Sequence, residues 1–123
     1  MEKFLLLIRE DLKRRAKLAP EDFIRQCDMV GDWIDKMAAT GNFIDASALY
    51  DKGNYVAKDY VVSDGPFLEA KESISGFILI QAESLEHATT LAQACTFVHT
   101  GHAVIEVRAM QPDPRTQPTP PIS

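Results

Sequence analysis

The sequence predicts one α+β domain with the element order β-α-β-β-α-β. Three observations support this prediction: two segments repeat apolar residues at helical spacing, short apolar and β-branched runs surround them, and turn-forming residues separate the segments. The 123 residues suffice for one domain with its own hydrophobic core. We expect this domain to span residues 1–110.

The first half of the chain predicts a strand followed by a helix. Residues 4–8 form an apolar run with the length of a buried strand, and the polar, basic residues 11–17 predict a connection. Pro20 suits the first turn of a helix, and Gly41 suits the position after its end. Gly31 lies within this helix, and we expect close packing to be its reason. The apolar stripe of the helix consists of Phe23, Cys27, Val30, Ile34 and Met37.

The second half predicts two strands, a helix and a last strand. Residues 43–49 have no decisive pattern, whereas residues 55–62 are rich in β-forming residues and should form the second strand. Residues 77–82 predict a buried strand, and Ser84 is a suitable N-cap for the helix that follows. The break at Thr100-Gly101 precedes residues 103–110, which alternate as a last strand. The apolar stripe of the second helix consists of Leu85, Ala88, Leu91, Ala92 and Cys95.

This order of elements is that of the ferredoxin-like fold, in which both helices cover one face of the sheet. In the first strand Leu6 and Ile8 face one side, while Leu5 and Leu7 face the other. The strand at residues 77–82 is apolar on both sides in the same way. Because both sheet faces should be buried, a second sheet must cover the open face. We therefore expect a homodimer whose sheets pack face to face into an α+β barrel.

Composition and charge argue against several classes of function. The net charge of −5 disfavours direct contact with nucleic acid, which requires a basic surface. No apolar run has the length of a membrane span, and the first residues do not have the pattern of a signal peptide. Cys27 and Cys95 form no CxxC pair and lie on apolar helix faces, which predicts buried free thiols. We expect a cytoplasmic protein.

The most informative motif is the segment DGPFLEAKE at residues 64–72. Its first three residues predict a tight turn, because glycine allows positive φ and proline fixes its own φ. Together with Gly76, Phe77 and the run IEVR at residues 105–108, the motif resembles the signature of the YCII-related family, in the branch often called DGPF proteins. The resemblance covers residues 3–110 and implies a dimeric α+β barrel.

We expect a small-molecule pocket between the sheet and this loop, because such pockets favour clefts and domain interfaces. Asp64 and Glu69 are the candidate catalytic residues, which would transfer a proton, and Lys71 would hold an anionic group. A structural interpretation stays open, in which Asp64 fixes the turn, Phe67 fills the core and Lys71 pairs with a glutamate. The remaining candidate ligand-binding residues of the loop are Gly65, Pro66, Phe67 and Glu72.

The last strand supplies two further candidate ligand-binding residues, Glu106 and Arg108. They lie two apart and share one face of the strand, opposite the apolar residues that should contact the helices. An arginine in this position can bind a carboxylate through two hydrogen bonds. An interface salt bridge between Arg108 and a carboxylate is equally compatible with the sequence.

No metal or cofactor is expected. His99 and His102 have HxxH spacing, but the Thr100-Gly101 break predicts a loop, and a third ligand is not evident. The sequence has no GxSxG, Walker or dinucleotide-binding glycine motif. Some YCII-related proteins resemble enzymes with a histidine–aspartate pair drawn from the first half of the chain. This chain departs from them, because its first histidine is His87.

Two functional hypotheses follow. In the first, the dimer binds a small anionic metabolite, with lyase- or isomerase-like acid–base chemistry. In the second, which the resemblance to DGPF proteins implies, it is a non-catalytic partner of another protein, linked to transcription regulation through an alternative sigma factor. A cavity above roughly 300 Å³ favours the first hypothesis, and a filled barrel with an exposed apolar patch favours the second. The proline-rich residues 111–123 predict an extended C-terminal arm.

Overall fold

The computed structural model describes residues 1–50, 52–63 and 73–116. In chain order, the strands of these residues are β1 (Glu2–Glu10), β2 (Phe43–Ala48), β3 (Asn54–Val56), β4 (Val61–Ser63), β5 (Ser73–Ala82) and β6 (Ala103–Ala109). The helices are α1 (Leu12–Arg15), α2 (Pro20–Ala39), α3 (Leu85–Gln93) and α4 (Thr96–His99). None of the described helices is long and apolar enough to cross a membrane.

The central sheet has four strands in the order β2-β5-β1-β6, and every neighbouring pair is antiparallel. This order, with α2 and α3 as the crossover helices, confirms the predicted ferredoxin-like α+β fold. The strand alternation is also confirmed. Leu6 and Ile78 are buried under the helices, whereas Leu5 and Leu7 lie half-buried on the open face beside their partners on β5.

The core lies between the sheet and the two long helices. Trp33 of α2 is buried, and its indole N–H donates a hydrogen bond to the carbonyl oxygen of Leu91 in α3 at 2.9 Å. This bond ties the two helices together across the core. The other large residues of the core cluster are Phe4, Leu6, Met37, Ile78 and Ile80.

The predicted helix ends are confirmed. Helix α2 begins at Pro20, and Gly41 follows its end with a φ of 76°, a conformation that favours glycine. The hydroxyl of Ser84 accepts a hydrogen bond from the backbone N–H of His87 at 3.1 Å, which is the expected N-cap of α3. Gly101 has a φ of 75° at the break before β6.

The prediction of a second strand at residues 55–62 is wrong. The second strand of the sheet is β2, in the segment whose pattern was not decisive. The β-forming residues further on make a separate hairpin, β3–β4, in which Tyr55 pairs with Val62. A tight turn causes this, since the backbone N–H of Ala57 bonds to the carbonyl of Tyr60 at 2.8 Å and reverses the chain.

Smaller differences from the sequence predictions concern α1, α2 and the tail. The predicted connection at residues 11–17 contains the short helix α1. Cys27 is exposed rather than buried, and a side chain at Gly31 would meet nothing within 4 Å, so close packing does not explain that glycine. In the tail, Pro114–Thr116 forms one turn of 3₁₀ helix, and residues 117–123 lie outside the described residues.

Candidate functional site

A cavity of about 340 Å³ lies between the first half of α2 and the sheet. Its helix wall includes Gln26 and the first four residues of the predicted core stripe, which are Phe23, Cys27, Val30 and Ile34. The opposite wall includes small residues of β2 and β5, which are Ala46, Ala48, Ser75 and Gly76. Because these side chains are short, they fill less space than the larger residues that join Trp33 and Met37 in the core cluster, such as Phe4, Leu6 and Ile80.

A carboxylate lies at one end of this cavity. Glu10 is the last residue of β1. Because side chains alternate along a strand, it lies on the same face as Phe4, Leu6 and Ile8, which is the face that the helices cover. The Ser75 hydroxyl donates a hydrogen bond to its Oε2 atom. Only 13% of the Glu10 side chain is exposed, which makes it the most deeply placed carboxylate among the described ion pairs.

Arg15 of α1 lies at the same end. Its Nη1 atom is 3.7 Å from Oε2 of Glu10, and its guanidinium carbon lies 5.2 Å from the centre of the Phe23 ring. This cation–π contact holds the guanidinium against the helix wall while 30% of the side chain stays exposed. The cavity therefore combines apolar walls with one carboxylate and one guanidinium at a single end.

Both cysteines of the chain line the cavity, in different environments. Cys27 is exposed on α2. Cys95 is buried between α3 and α4, and its burial raises the pKa of its thiol, with a smaller contribution in the same direction from the charge of Glu10. Because Cys27 is exposed, whereas Cys95 is buried and its thiol pKa is raised, thiol reagents should modify Cys27 faster than Cys95.

The predicted loop residues cannot be placed, because residues 64–72 lie outside the described residues. This applies to Asp64, Gly65, Pro66, Phe67, Glu69, Lys71 and Glu72. The described chain fixes only where the loop begins and ends, after Ser63 of β4 and before Ser73 of β5. The loop thus leads within a few residues to Ser75 and Gly76 of the cavity wall.

Glu106 and Arg108 lie on the open face of the sheet, as predicted, and do not line the cavity. Oε1 of Glu106 accepts hydrogen bonds from Nε of Arg9 at 3.3 Å and from Nη2 of Arg9 at 3.1 Å. Its Oε2 accepts one from Nη1 of Arg108 at 3.0 Å. The bonds from Arg108 and then Arg9 hold the pKa of Glu106 below its ordinary value. Arg9 and Arg108 therefore converge on one carboxylate of the same chain.

The histidines take part in local contacts. Nδ1 of His87 accepts from the backbone N–H of Glu83 at 3.1 Å, and Nδ1 of His102 lies 2.6 Å from the Thr100 hydroxyl. Among the described residues, no group of three His, Cys, Asp or Glu side chains is placed to hold a metal ion.

The sequence predictions missed Glu10, Arg15 and Ser75. The signal for Glu10 was present, because a period of two along β1 puts it on the side of the buried residues. Arg15 and Ser75 carried no comparable signal. Arg15 belongs to a segment that sequence alone indicates only as polar. Ser75 is the residue of β5 that the pairing with β1 skips, at the irregularity opposite Ile8 and Arg9.

The order of strands and helices defines the chain as a ferredoxin-like α+β domain with an apolar cavity between helix and sheet. The chain belongs to the YCII-related family, since the sequence model of the YCII-related domain matches residues 25–111. That match begins within α2, so Glu10 and Arg15 precede it. No curated protein gives a significant match.

Proposed function

We propose that the protein binds a small anionic metabolite in the cavity between α2 and the sheet, with the anionic group near Arg15. The observation that carries this proposal is the cavity itself. Its volume of about 340 Å³ falls in the range of small-molecule sites, and its walls are apolar with polar groups gathered at one end. The loop at residues 64–72 leads into this wall, which supports the predicted position of the pocket beside the loop.

The acid–base form of this proposal requires a carboxylate at the ligand. Glu10 is the described carboxylate that lines the cavity, and Asp64 and Glu69 stay predictions. The cavity supports the ligand hypothesis over the hypothesis of an interaction protein linked to a sigma factor, which predicts a filled interior. A cytoplasmic location fits the two free cysteines, one of them exposed.

A thermal-shift screen with two matched arginine variants tests the proposal. The panel contains small aliphatic and aromatic acids and their neutral analogues. A ligand at 100 times its Kd adds about 2.7 kcal/mol to the free energy of unfolding, which raises Tm by several degrees. We expect a shift that Arg15→Ala reduces and Arg108→Ala retains, since only Arg15 lines the cavity. A shift lost only in Arg108→Ala would place the site on the open face and contradict the proposal, as would the absence of any shift.

We also propose that two copies pack through their open sheet faces. At the centre of this face lie Leu5 and Leu7 of β1 beside Leu79 and Phe77 of β5, all half-buried in one copy. A sheet face exposed to water normally carries polar residues at such positions. Light scattering should give twice the monomer mass for the wild type and the monomer mass for Leu7→Lys. A monomeric wild type at micromolar concentration would contradict this proposal.

A further inference from the structure

Among the described residues, the hydrogen-bond donors of the Arg15 guanidinium have no acceptor within hydrogen-bond distance. Within the part of the chain that the structure describes, its nearest anionic atom is Oε2 of Glu10 at 3.7 Å, which is too far for a hydrogen bond. That oxygen already accepts the hydroxyl of Ser75. An arginine held in place by Phe23 with free donors at the end of a cavity is suited to two parallel hydrogen bonds with a carboxylate.

The charge around Arg15 favours an anion despite the presence of Glu10. Residues 10–17 carry two acidic side chains and four basic ones, which gives a net charge of +2 in a chain whose total is −5. The basic side chains of this segment are Lys13, Arg14, Arg15 and Lys17. This segment is thus a basic stretch in an acidic protein, and it contributes Arg15 to the end of the cavity, which favours small anions there.

Beyond this end the cavity is apolar. Its deeper walls are formed by Val30, Ile34, Ile78 and Phe97. Among the described residues that line the cavity, Arg15 is the sole basic side chain. A second negative charge on the ligand would therefore be buried without a basic partner, and its desolvation would weaken binding. A cavity of about 340 Å³ lies at the lower end of the range of small-molecule sites, which favours a compact ligand.

We infer that the ligand is an amphipathic monocarboxylate, with its carboxylate on Arg15 and an aromatic or aliphatic body between α2 and the sheet. This inference rests on the proposed function and adds the chemical class of the ligand, a single carboxylate on an apolar body. The bound body passes Cys27, which lines the cavity and is exposed. Ligand binding should therefore shield this thiol from reagents in solution.

The test measures how fast N-ethylmaleimide, an uncharged reagent, modifies Cys27, with intact mass as the readout. The probes are phenylacetate, its neutral analogue phenylacetamide, the cation 2-phenylethylamine and the dianion succinate. Cys27→Ser confirms which thiol reacts, because Cys95 is buried. Arg15→Ala and Arg15→Lys remove the bidentate donor, and Arg25→Ala is the matched control, since Arg25 lies on α2 outside the cavity and pairs with Asp22.

We expect phenylacetate to slow the modification of wild type and of Arg25→Ala. Loss of a charge-assisted hydrogen bond should weaken that protection roughly 10- to 100-fold in Arg15→Ala. Phenylacetamide, 2-phenylethylamine and succinate should protect weakly. Equal protection by succinate and phenylacetate would overturn the ligand class but leave the proposed function standing, whereas equal protection by phenylacetate and phenylacetamide would contradict both. Lack of protection by every probe would overturn both, and protection unchanged in both Arg15 variants would overturn the orientation.

Discussion

Gly76 allows β2 and β5 to approach closely at the wall of the cavity, and its replacement by alanine should destabilise the protein. A Cβ atom at this position would lie 2.9 Å from the carbonyl oxygen of Ser47 and 3.4 Å from the Cα atom of Ala48. Both are backbone atoms, so no side chain can rotate away to relieve the contact. Overpacking of this kind costs about 1–3 kcal/mol.

Alanine also reduces the conformational entropy of the unfolded chain, which offsets about 0.4–1 kcal/mol of that cost. The free energy of unfolding should therefore fall by about 0.5–2 kcal/mol. An unfolding entropy of about 2.1 cal/mol/K per residue gives about 0.26 kcal/mol/K for 123 residues. The expected fall in Tm is therefore about 2–8 °C.

Gly31→Ala is the matched control for this prediction, because the same chemical change should have the opposite sign. Gly31 lies within α2, and a Cβ atom there meets nothing within 4 Å. Alanine should stabilise this helix by about 1 kcal/mol and raise Tm by about 4 °C. Calorimetry of both variants at one protein concentration measures the two shifts. A Gly76→Ala protein as stable as Gly31→Ala would refute the close approach of β2 and β5.

Three further predictions concern single side chains. Ser84→Ala removes the N-cap of α3 and should cost about 1 kcal/mol in urea denaturation, and an unchanged midpoint would count against the cap. Trp33→Phe removes the indole donor to the Leu91 carbonyl, which keeps the backbone N–H of Ala94 at 3.3 Å, and should cost about 1 kcal/mol in the same assay, whereas wild-type stability would contradict the indole bond. The lowered pKa of Glu106 means that its ion pairs stabilise the fold above the ordinary carboxyl pKa and that this contribution is lost as pH falls through the lowered value. The free energies of unfolding of wild type and Glu106→Gln, measured at a series of pH values, should therefore converge in acid. A difference that stays constant at every pH would refute this.

Much of the fold could be predicted from the sequence, because its elements have strong local signals. The stripe of α2, the cap at Ser84 and the alternation of β1 each follow from a period or a capping residue within a few positions. The pairing of strands has no such local signal. Residues 55–62 have high β-propensity, but a turn at Ala57–Tyr60 makes β3 pair with β4 instead of with β5. Propensity indicates that a segment is extended and does not indicate its partner.

The candidate site was harder to predict, because its cavity depends on a mismatch between two distant segments. The stripe from Phe23 to Ile34 looks like an ordinary core face in sequence. It borders a cavity because small residues of β2 and β5 lie opposite, and sequence spacing does not reveal that they meet. Arg108 lies on the open face, as predicted, with 67% of its side chain exposed, and its role in ligand binding stays a prediction.

The central claim is that the cavity between α2 and the sheet binds a small ligand. Isoleucine-methyl NMR during a titration with phenylacetate tests it most directly, because Ile8, Ile34 and Ile78 line the cavity while Ile24 and Ile44 do not. We expect saturable changes in the chemical shifts of the three cavity methyl groups and unchanged signals from Ile24 and Ile44. Shifts at Ile44 alone, or an unchanged spectrum at millimolar phenylacetate, would contradict it.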